Sequence, residues 1–507
     1  MRLIHRILIP VSVVAITLTV PWPEGTARAD KPAFEVVSGQ RQLFLDDVGI
    51  ARIENLQRNL HQPRKKGAVI APNDPQAAAL QTRTAPIWDP DRRLWKMWDC
   101  TAPNDLAAIP RYCAGYYESE DGVHWTRPVV GLVERNGSKQ NHFVPVRPDS
   151  GWGRPDLVVR DAADPDPARR YKSALPNMGF AVSPDGIHWT MLDLPAISSG
   201  DEYNLSLDEQ EHLFLLTIKG GGAHGRSVHL VTSRDFKTWT NHGLIFHADD
   251  LDQQLGRQHI MARLANPRLQ HPFWHNPSLY NVDVYNMGLF RYEGLYIGTP
   301  AMYHAVGAPP NYPNTVGFHL IQLVSSRDLK SFHRVGDRKT FIGPSPKGPD
   351  NFDALQMIGP SNAIVRDDEL WFYYTGLKYR GTGELSSAEQ AKLDKWVGAI
   401  CMAVLRRDGF VSLDAGDTAG IVVTEPFTLP GTKLFVNVDA RKESVGELRV
   451  EVLNQAAQVV ARSEALRGDL LSEPVKWQEG DLAKHRGRPV TLRFTLRNGR
   501  LYSFWIE

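Results

Sequence analysis

A chain of 507 residues is longer than a single hydrophobic core usually organises, so two domains or a repeated architecture are expected. Its 58 Lys and Arg balance 57 Asp and Glu without a sustained basic block, which argues against nucleic acid as the main partner, because phosphate neutralisation needs clustered cations. Hydrophobic residues at 42% are ordinary for a globular protein, but 13 Trp and 15 Tyr are plentiful, and such side chains pack β cores and stack on the apolar faces of sugars. In chain order, residues 1–29 read as a signal peptide. Arg2 and Arg6 precede the apolar "ILIPVSVVAITLTV", and "TARAD" offers a cleavage site after Ala29. The apolar run is short for a membrane span, Pro10 interrupts it, and no second long run follows. A mature protein without a membrane span, secreted or periplasmic, is expected. Next, "RQLFLDDVGIARIENL" is expected to close a ring of sheets or cover an edge, with Asp46 and Asp47 in structural roles.

Beyond Thr84, strand-like segments recur with a shared punctuation. "YYESEDGVHWT" and "FAVSPDGIHWT" carry the same Ser-x-Asp-Gly-x-His-Trp-Thr pattern. "VTSRDFKTWT" and "VSSRDLKSFH" repeat it around Asp235 and Asp328, and "VLRRDGFVSLD" is a degenerate fifth copy around Asp408. Asp accepts hydrogen bonds from backbone N–H groups two residues on, and Gly tolerates positive φ, so the pattern closes a tight hairpin. The Trp or Phe that follows packs against a neighbouring sheet. Asp121, Asp185, Asp235 and Asp328 are therefore expected to build turns, not to catalyse. Strands fall around each turn in groups of four, from "TAPIW", "LWKMWDC", "CAGYYES" and "HWTRP" to "SNAIVRD", "ELWFYYTG", "AICMAVLRR" and "FVSLD". This self-similarity predicts a five-bladed β-propeller over residues 30–416.

From residue 417 the punctuation stops. "KLFVNVDA", "LRVEVLN", "PVTLRFTLR" and "RLYSFWIE" alternate as short strands, predicting a C-terminal β-sandwich over 417–507. The expected fold class is thus all-β, with "LSSAEQAKLDKW" the one segment that reads as helix. Cys100, Cys113 and Cys401 are too few for a disulfide scaffold, although Cys100 and Cys113 lie on adjacent predicted strands and could pair. No CxxC or HExxH spacing occurs, so no metal ligands are predicted. "KGGGAHGR" lacks the Gly-Lys-Ser/Thr ending of a phosphate loop.

The leader, the five punctuated groups and the C-terminal strands together resemble the five-bladed propeller glycoside hydrolases, the furanosidase-type enzymes of families 32, 43 and 68. "LFLDDVGI" and the closing "LRFTLRNGRLYSFWIE" are similar to exported bacterial proteins of the same group. The resemblance implies a glycosidase acting on oligo- or polysaccharides, with three carboxylates at one mouth of the central channel, just before the innermost strands of the first three blades. Asp89, Asp91, Asp161, Asp208, Asp367 and Glu293 fall in turns at the opposite face. At the working mouth, Asp74 in "APNDPQ" resembles the Asp of the family 32 Asn-Asp-Pro motif, with Gln76 departing from it. Asp156 in "GRPDLVV" stands in a permuted Arg-Asp-Pro. Asp201 and Glu202 in "SSGDEYN" open the third blade, where relatives keep the general acid. The implied roles are Asp74 as nucleophile or base, Asp156 as stabiliser, and Glu202, beside Asp201, as acid. Asn73, Arg154, Asn204, Asp283 and Asp353 are candidates for holding the carbohydrate, joined by Trp274 and His275 from an insertion before the fourth blade.

No cofactor is implied, and a structural calcium at the channel centre stays open. Two other readings share this architecture. One is a phosphate-dependent glycoside phosphorylase, with Arg257 or Arg263 receiving phosphate. The other is a carbohydrate-binding propeller that has lost its catalytic acids, in keeping with the departures from the two motifs.

Overall fold

The computed structural model describes residues 34–74, 78–100, 113–135, 137–150, 152–310, 314–441 and 445–507; the leader expected over 1–29, and Gln76, lie outside them. The protein is 46% strand and 9% helix, hence all-β. Among the described residues the strands form seven antiparallel sheets, and no helix is long and apolar enough to cross a membrane.

Five sheets of four or five strands follow one another along the chain. The first comprises Ile87–Asp89, Leu94–Trp98, Ala114–Ser119 and Phe143–Val144. The second comprises Val158–Arg160, Tyr171–Leu175, Gly179–Ser183 and Thr190–Met191. The third has Tyr203–Asp208, Leu213–Gly222, Gly225–Ser233 and Thr240–Phe246. In the fourth, Asn281–Tyr292 pairs with Leu295–Gly307, which carries Val316–Ile321 and Val324–Ser326 on its other edge. In the fifth, Glu369–Leu377 pairs with Gly398–Arg406. The strand beyond it is not the expected "FVSLD" but Arg64–Ile70, drawn from ahead of the first sheet and registered from Ile400↔Ile70 to Val404↔Arg64. Hydrogen-bonding the start of the series to its end removes an open sheet edge.

Apolar clusters join each of these sheets to the next. Trp98, Tyr116, Val158 and Tyr171 lie between the first and second, and Phe180, Leu205 and Phe214 between the second and third. Val228, Phe246, Val282 and Met302 join the third to the fourth; Tyr303, Met357 and Phe372 join the fourth to the fifth. Met97, Tyr117, Tyr373 and Met402 then join the fifth to the first, so the sheets close in a cycle. Each buried Phe or Met contributes about 1.5–3 kcal/mol.

The repeated turns serve this packing. Asp121 Oδ1 accepts from the N–H groups of Val123 and His124, both at 2.8 Å, and Ser119 Oγ accepts from Gly122 N–H at 2.9 Å. Asp185, Asp235 and Asp328 do the same for their own turns. The residue after each Asp has positive φ: 79° at Gly122, 78° at Gly186, 56° at Phe236 and 61° at Leu329. At Gly186 space matters too. Trp98 Nε1 donates to Gly186 O at 2.8 Å, and a Cβ there would lie 2.5 Å from Trp98 Cζ2. The acids at the opposite turns are likewise structural: Asp89 accepts from Tyr171 OH at 3.2 Å, and Asp208 from Tyr296 OH at 2.8 Å, each reaching the next sheet.

The two larger sheets draw strands from both ends of the described chain. Val411–Ala415 belongs to a six-stranded sheet with Gly499–Ile506 and Leu434–Ala440, and Gln57–Leu60 and Gln42–Leu43 join the same sheet. Ile50–Glu54 joins the seven-stranded sheet through Gly420–Thr424. The early "LFLDDVGIARIENL" segment therefore pairs with the C-terminal strands instead of closing the five-sheet cycle. Burial decides it: Phe44 and Leu413 sit in one core with Val436, Leu448, Phe494 and Phe504. Asp46 and Asp47 are tied to Arg327 and Arg58.

The degenerate fifth copy also departs from the pattern. Asp408 joins the two assemblies, accepting from Arg41 Nη1 at 2.5 Å, Tyr292 OH at 2.6 Å, Ser503 Oγ at 2.6 Å and Asn437 Nδ2 at 3.1 Å.

A helix not anticipated from sequence, α1, spans Asp250–Ala265 and begins in a capping box between Asp249 and Asp252. That Asp-x-x-Asp spacing was its legible signal. The expected helix is shorter than its pattern, covering Ser387–Gln390 after the Ser386 cap.

Candidate active site

Residues just ahead of the first strands of the first three sheets line one cavity of about 250 Å³: Gln81 and Arg83, then Arg154 and Asp156, then Asp201 and Glu202. Tyr285 from the fourth sheet, Cys100, Pro176 and Arg380 complete its wall. The loops are fixed locally. Asp156 N–H donates to Arg154 O at 3.0 Å, Ser199 Oγ donates to Glu202 O at 2.8 Å, and Gly200 N–H donates to Lys219 O at 3.0 Å. A larger cavity of about 600 Å³ lies at the other ends of the same strands, lined by Trp88, Asp208 and Glu209 among others. Asp208 there is committed to the N–H groups of Gln210 and Glu211 and to Tyr296.

The two buried carboxyls of the smaller cavity are pushed in opposite directions. Burial alone would raise Glu202, but the charge and hydrogen bonds of Arg83 outweigh it and hold the carboxyl at about 2. The guanidinium grips both oxygens, Nη2 to Oε1 at 2.7 Å and Nε to Oε2. Asp156 is fully buried, and that burial raises its carboxyl above the usual aspartate value despite the opposing charges of Arg154 and Arg83. Arg154 Nε lies 3.0 Å from Asp156 Oδ2, yet neither Asp156 oxygen has an aligned hydrogen bond. The two carboxyls thus stand in different environments, Glu202 clasped by a cation and Asp156 shut away from water. Burial pushes the Cys100 thiol up to about 12, which removes it as a nucleophile.

Around this pair, Lys219 pairs with Asp201 and lies 3.8 Å from the Tyr285 ring centre. Asp283, raised by burial, takes Arg226 Nε at 2.8 Å. The His319 ring sits against Tyr285 and Tyr303, with centroids 4.8 and 4.9 Å away, and burial drives it well below the usual histidine value.

Other expected site residues are placed elsewhere. Asp74 faces Arg135 at 2.6 Å and does not line the cavity, so it does not converge with Glu202; Asn73 beside it is exposed. Asn204 is buried beneath the wall, accepting from Asn286 Nδ2 at 3.0 Å. Asp353 pairs with Lys65 and Tyr374 OH, both at 2.7 Å. Trp274 packs on Gly307 and His275 meets Tyr280 OH at 3.3 Å, as parts of a packed loop and not of the cavity wall. Arg263 is buried and donates to Gln270 O and Ala354 O, while Arg257 lines a separate groove on α1, so neither reaches this cavity. Among the described residues no group of three or more His, Cys, Asp or Glu is placed to hold a metal ion. Cys100, Cys113 and Cys401 are all buried.

Sequence reasoning missed Arg83, Lys219, Tyr285 and Arg380. Arg83 was within reach, because "QTRTAPIW" holds the same place ahead of the first sheet that Asp156 and Glu202 hold ahead of the next two.

No family model matches this sequence, and no curated protein sequence is similar to it. Among solved structures, the chain is similar to a family 43 arabinoxylan arabinofuranohydrolase from Bacillus subtilis, with 9% identity, 87% of this chain and 99% of that one covered, and a TM-score of 0.38. It is also similar to a β-fructofuranosidase from Schwanniomyces occidentalis, with 11% identity, coverage of 88% and 98%, and a TM-score of 0.37. An N-acetylgalactosamine deacetylase from F. plautii aligns with 14% identity, coverage of 70% and 97%, and a TM-score of 0.38. Likenesses this distant assign no role to any residue of this chain.

Proposed function

We propose that this chain is a glycan-active enzyme, exported by a leader over residues 1–29, that cleaves glycosidic bonds in the cavity shared by Asp156 and Glu202. In this reading the five smaller sheets, residues 64–406, are the blades of a five-bladed β-propeller, and residues 34–60 and 411–507 form a β-sandwich beside it. The observation that carries the chemistry is the pair of buried carboxyls facing one cavity, one raised and one held at about 2. Environments that push two carboxyls apart separate an acid from a base. Asp156 gives its proton to the glycosidic oxygen as that bond breaks. Glu202, oriented by Arg83, keeps its charge against the positive charge growing at the anomeric carbon and takes a proton from the incoming water. Two carboxyls suffice for this reaction, with no metal or cofactor.

The test is turnover of an oligosaccharide panel by wild type, Asp156→Asn and Glu202→Gln. Loss of the general acid should lower kcat on unactivated substrates by about 10²–10⁴, and much less on dinitrophenyl glycosides, whose leaving group needs no proton. Undiminished turnover of natural linkages by Asp156→Asn would remove the assignment. Tight sugar binding without cleavage by wild type would leave the carbohydrate-binding reading in its place.

A further inference from the structure

The geometry points to an oxyanion held by Arg154 beside the scissile bond: the carboxylate of a uronic acid residue in the substrate, or inorganic phosphate entering as a second reactant. This rests on the cavity being a glycoside-cleaving site and names the substrate class it takes.

The cations at the cavity are not equivalent, and Arg380 on its wall is among the engaged ones. Arg83 is fully engaged, with Nε and Nη2 on Glu202, Nη2 also on Gln81 Oε1, and Nη1 on Thr82 O. Lys219 is engaged by Asp201. Arg154 has one ionic contact, Nε at 3.0 Å from Asp156, and its buried Nε has no hydrogen-bond partner. Its side chain is 27% exposed and lines the cavity.

A guanidinium carries five N–H donors in a rigid fork, and burying them unmatched is costly. The fork fits a carboxylate or phosphate through two parallel hydrogen bonds. Asp156 cannot fill that role while it acts as the proton donor, because in its protonated form it cancels no charge. An oxyanion on the substrate supplies the missing countercharge. It also places a negative charge near Asp156, which favours the protonated form that donation requires. The chain as a whole is nearly neutral, at +1, so this positive site is local and not the reflection of a basic protein.

The experiment titrates D-glucuronate and D-galacturonate against D-glucose and D-galactose, with inorganic phosphate as a third arm. Ionic strength is held constant, and full-length wild type, Arg154→Met and Arg154→Lys are compared. A uronate preference of at least about tenfold over the neutral sugar is expected if the anion belongs to the substrate. Phosphate binding together with phosphate-dependent turnover is expected if it enters separately. Either result supports the inference, provided the preference collapses in Arg154→Met. If that variant does not fold, Arg154→Lys, which keeps the charge but loses the fork, should weaken the preference. Equal affinity for charged and neutral sugars without a phosphate effect overturns the inference while leaving cleavage of neutral glycans intact. A preference unchanged in both variants overturns it as well. A protein that neither binds nor cleaves any sugar overturns the glycosidase reading itself and this inference with it.

Discussion

Replacing Asp408 with Ala tests how the two assemblies are joined. Asp408 is fully buried and accepts from Arg41 of the N-terminal segment, Tyr292 of the fourth small sheet, and Asn437 and Ser503 of the six-stranded sheet. Arg41 is only 8% exposed and lies over the Trp505 ring at 3.7 Å, so it cannot swing into water without breaking that packing. Removing one partner of such a buried pair leaves an uncompensated charge, which costs about 3–5 kcal/mol. The neutral donors add to this, at about 1 kcal/mol each if water cannot replace the carboxylate. Urea unfolding followed by Trp fluorescence should show a loss of at least about 3 kcal/mol in Asp408→Ala. The double variant Arg41→Met with Asp408→Leu should recover much of it, because apolar groups of similar volume replace buried ion pairs at little cost. A loss below about 1 kcal/mol, typical of a surface pair, would refute the argument that this carboxylate is a buried junction.

Four further outcomes follow from the same physical terms. kcat/KM should fall as pH rises through the elevated Asp156 pKa, and this alkaline limb should vanish in Asp156→Asn; Glu202, ionised down to about pH 2, sets no acid limb above that. A raised aspartate pKa means that ionisation above the ordinary value opposes folding, so wild type should lose stability as pH rises through that region and Asp156→Asn should lose less; melting curves that stay parallel in pH would contradict the buried setting of this group. Gly186→Ala combines positive φ with a Cβ 2.5 Å from Trp98 and should cost about 2–4 kcal/mol by denaturant titration, whereas Gly131→Ala, with open space and φ 71°, should cost less. Thiol titration without reductant should find all three cysteines slow to react in the native protein and reactive on unfolding; a single reactive thiol would mean that Cys100 and Cys113 pair after all.

The repeated turns were legible because their chemistry is local. Asp121, Asp185, Asp235 and Asp328 bond N–H groups two and three residues away, so the sequence alone determined their turn structure. The alternation of each strand group was local in the same sense. The strand partners of Arg64–Ile70 and Val411–Ala415 were not, because an alternating segment fits any sheet edge of the right hydrophobicity, and only the assembled cores select one. The site divides along the same line. The place of Asp156 and Glu202 ahead of their strands could be read from topology, but their proton affinities could not. Glu202 is ionised because Arg83, 119 residues away in sequence, closes on it, and Asp156 is raised because the folded wall excludes water from it. Solvation and through-space charge set a carboxyl's protonation, and both exist only once the chain is folded.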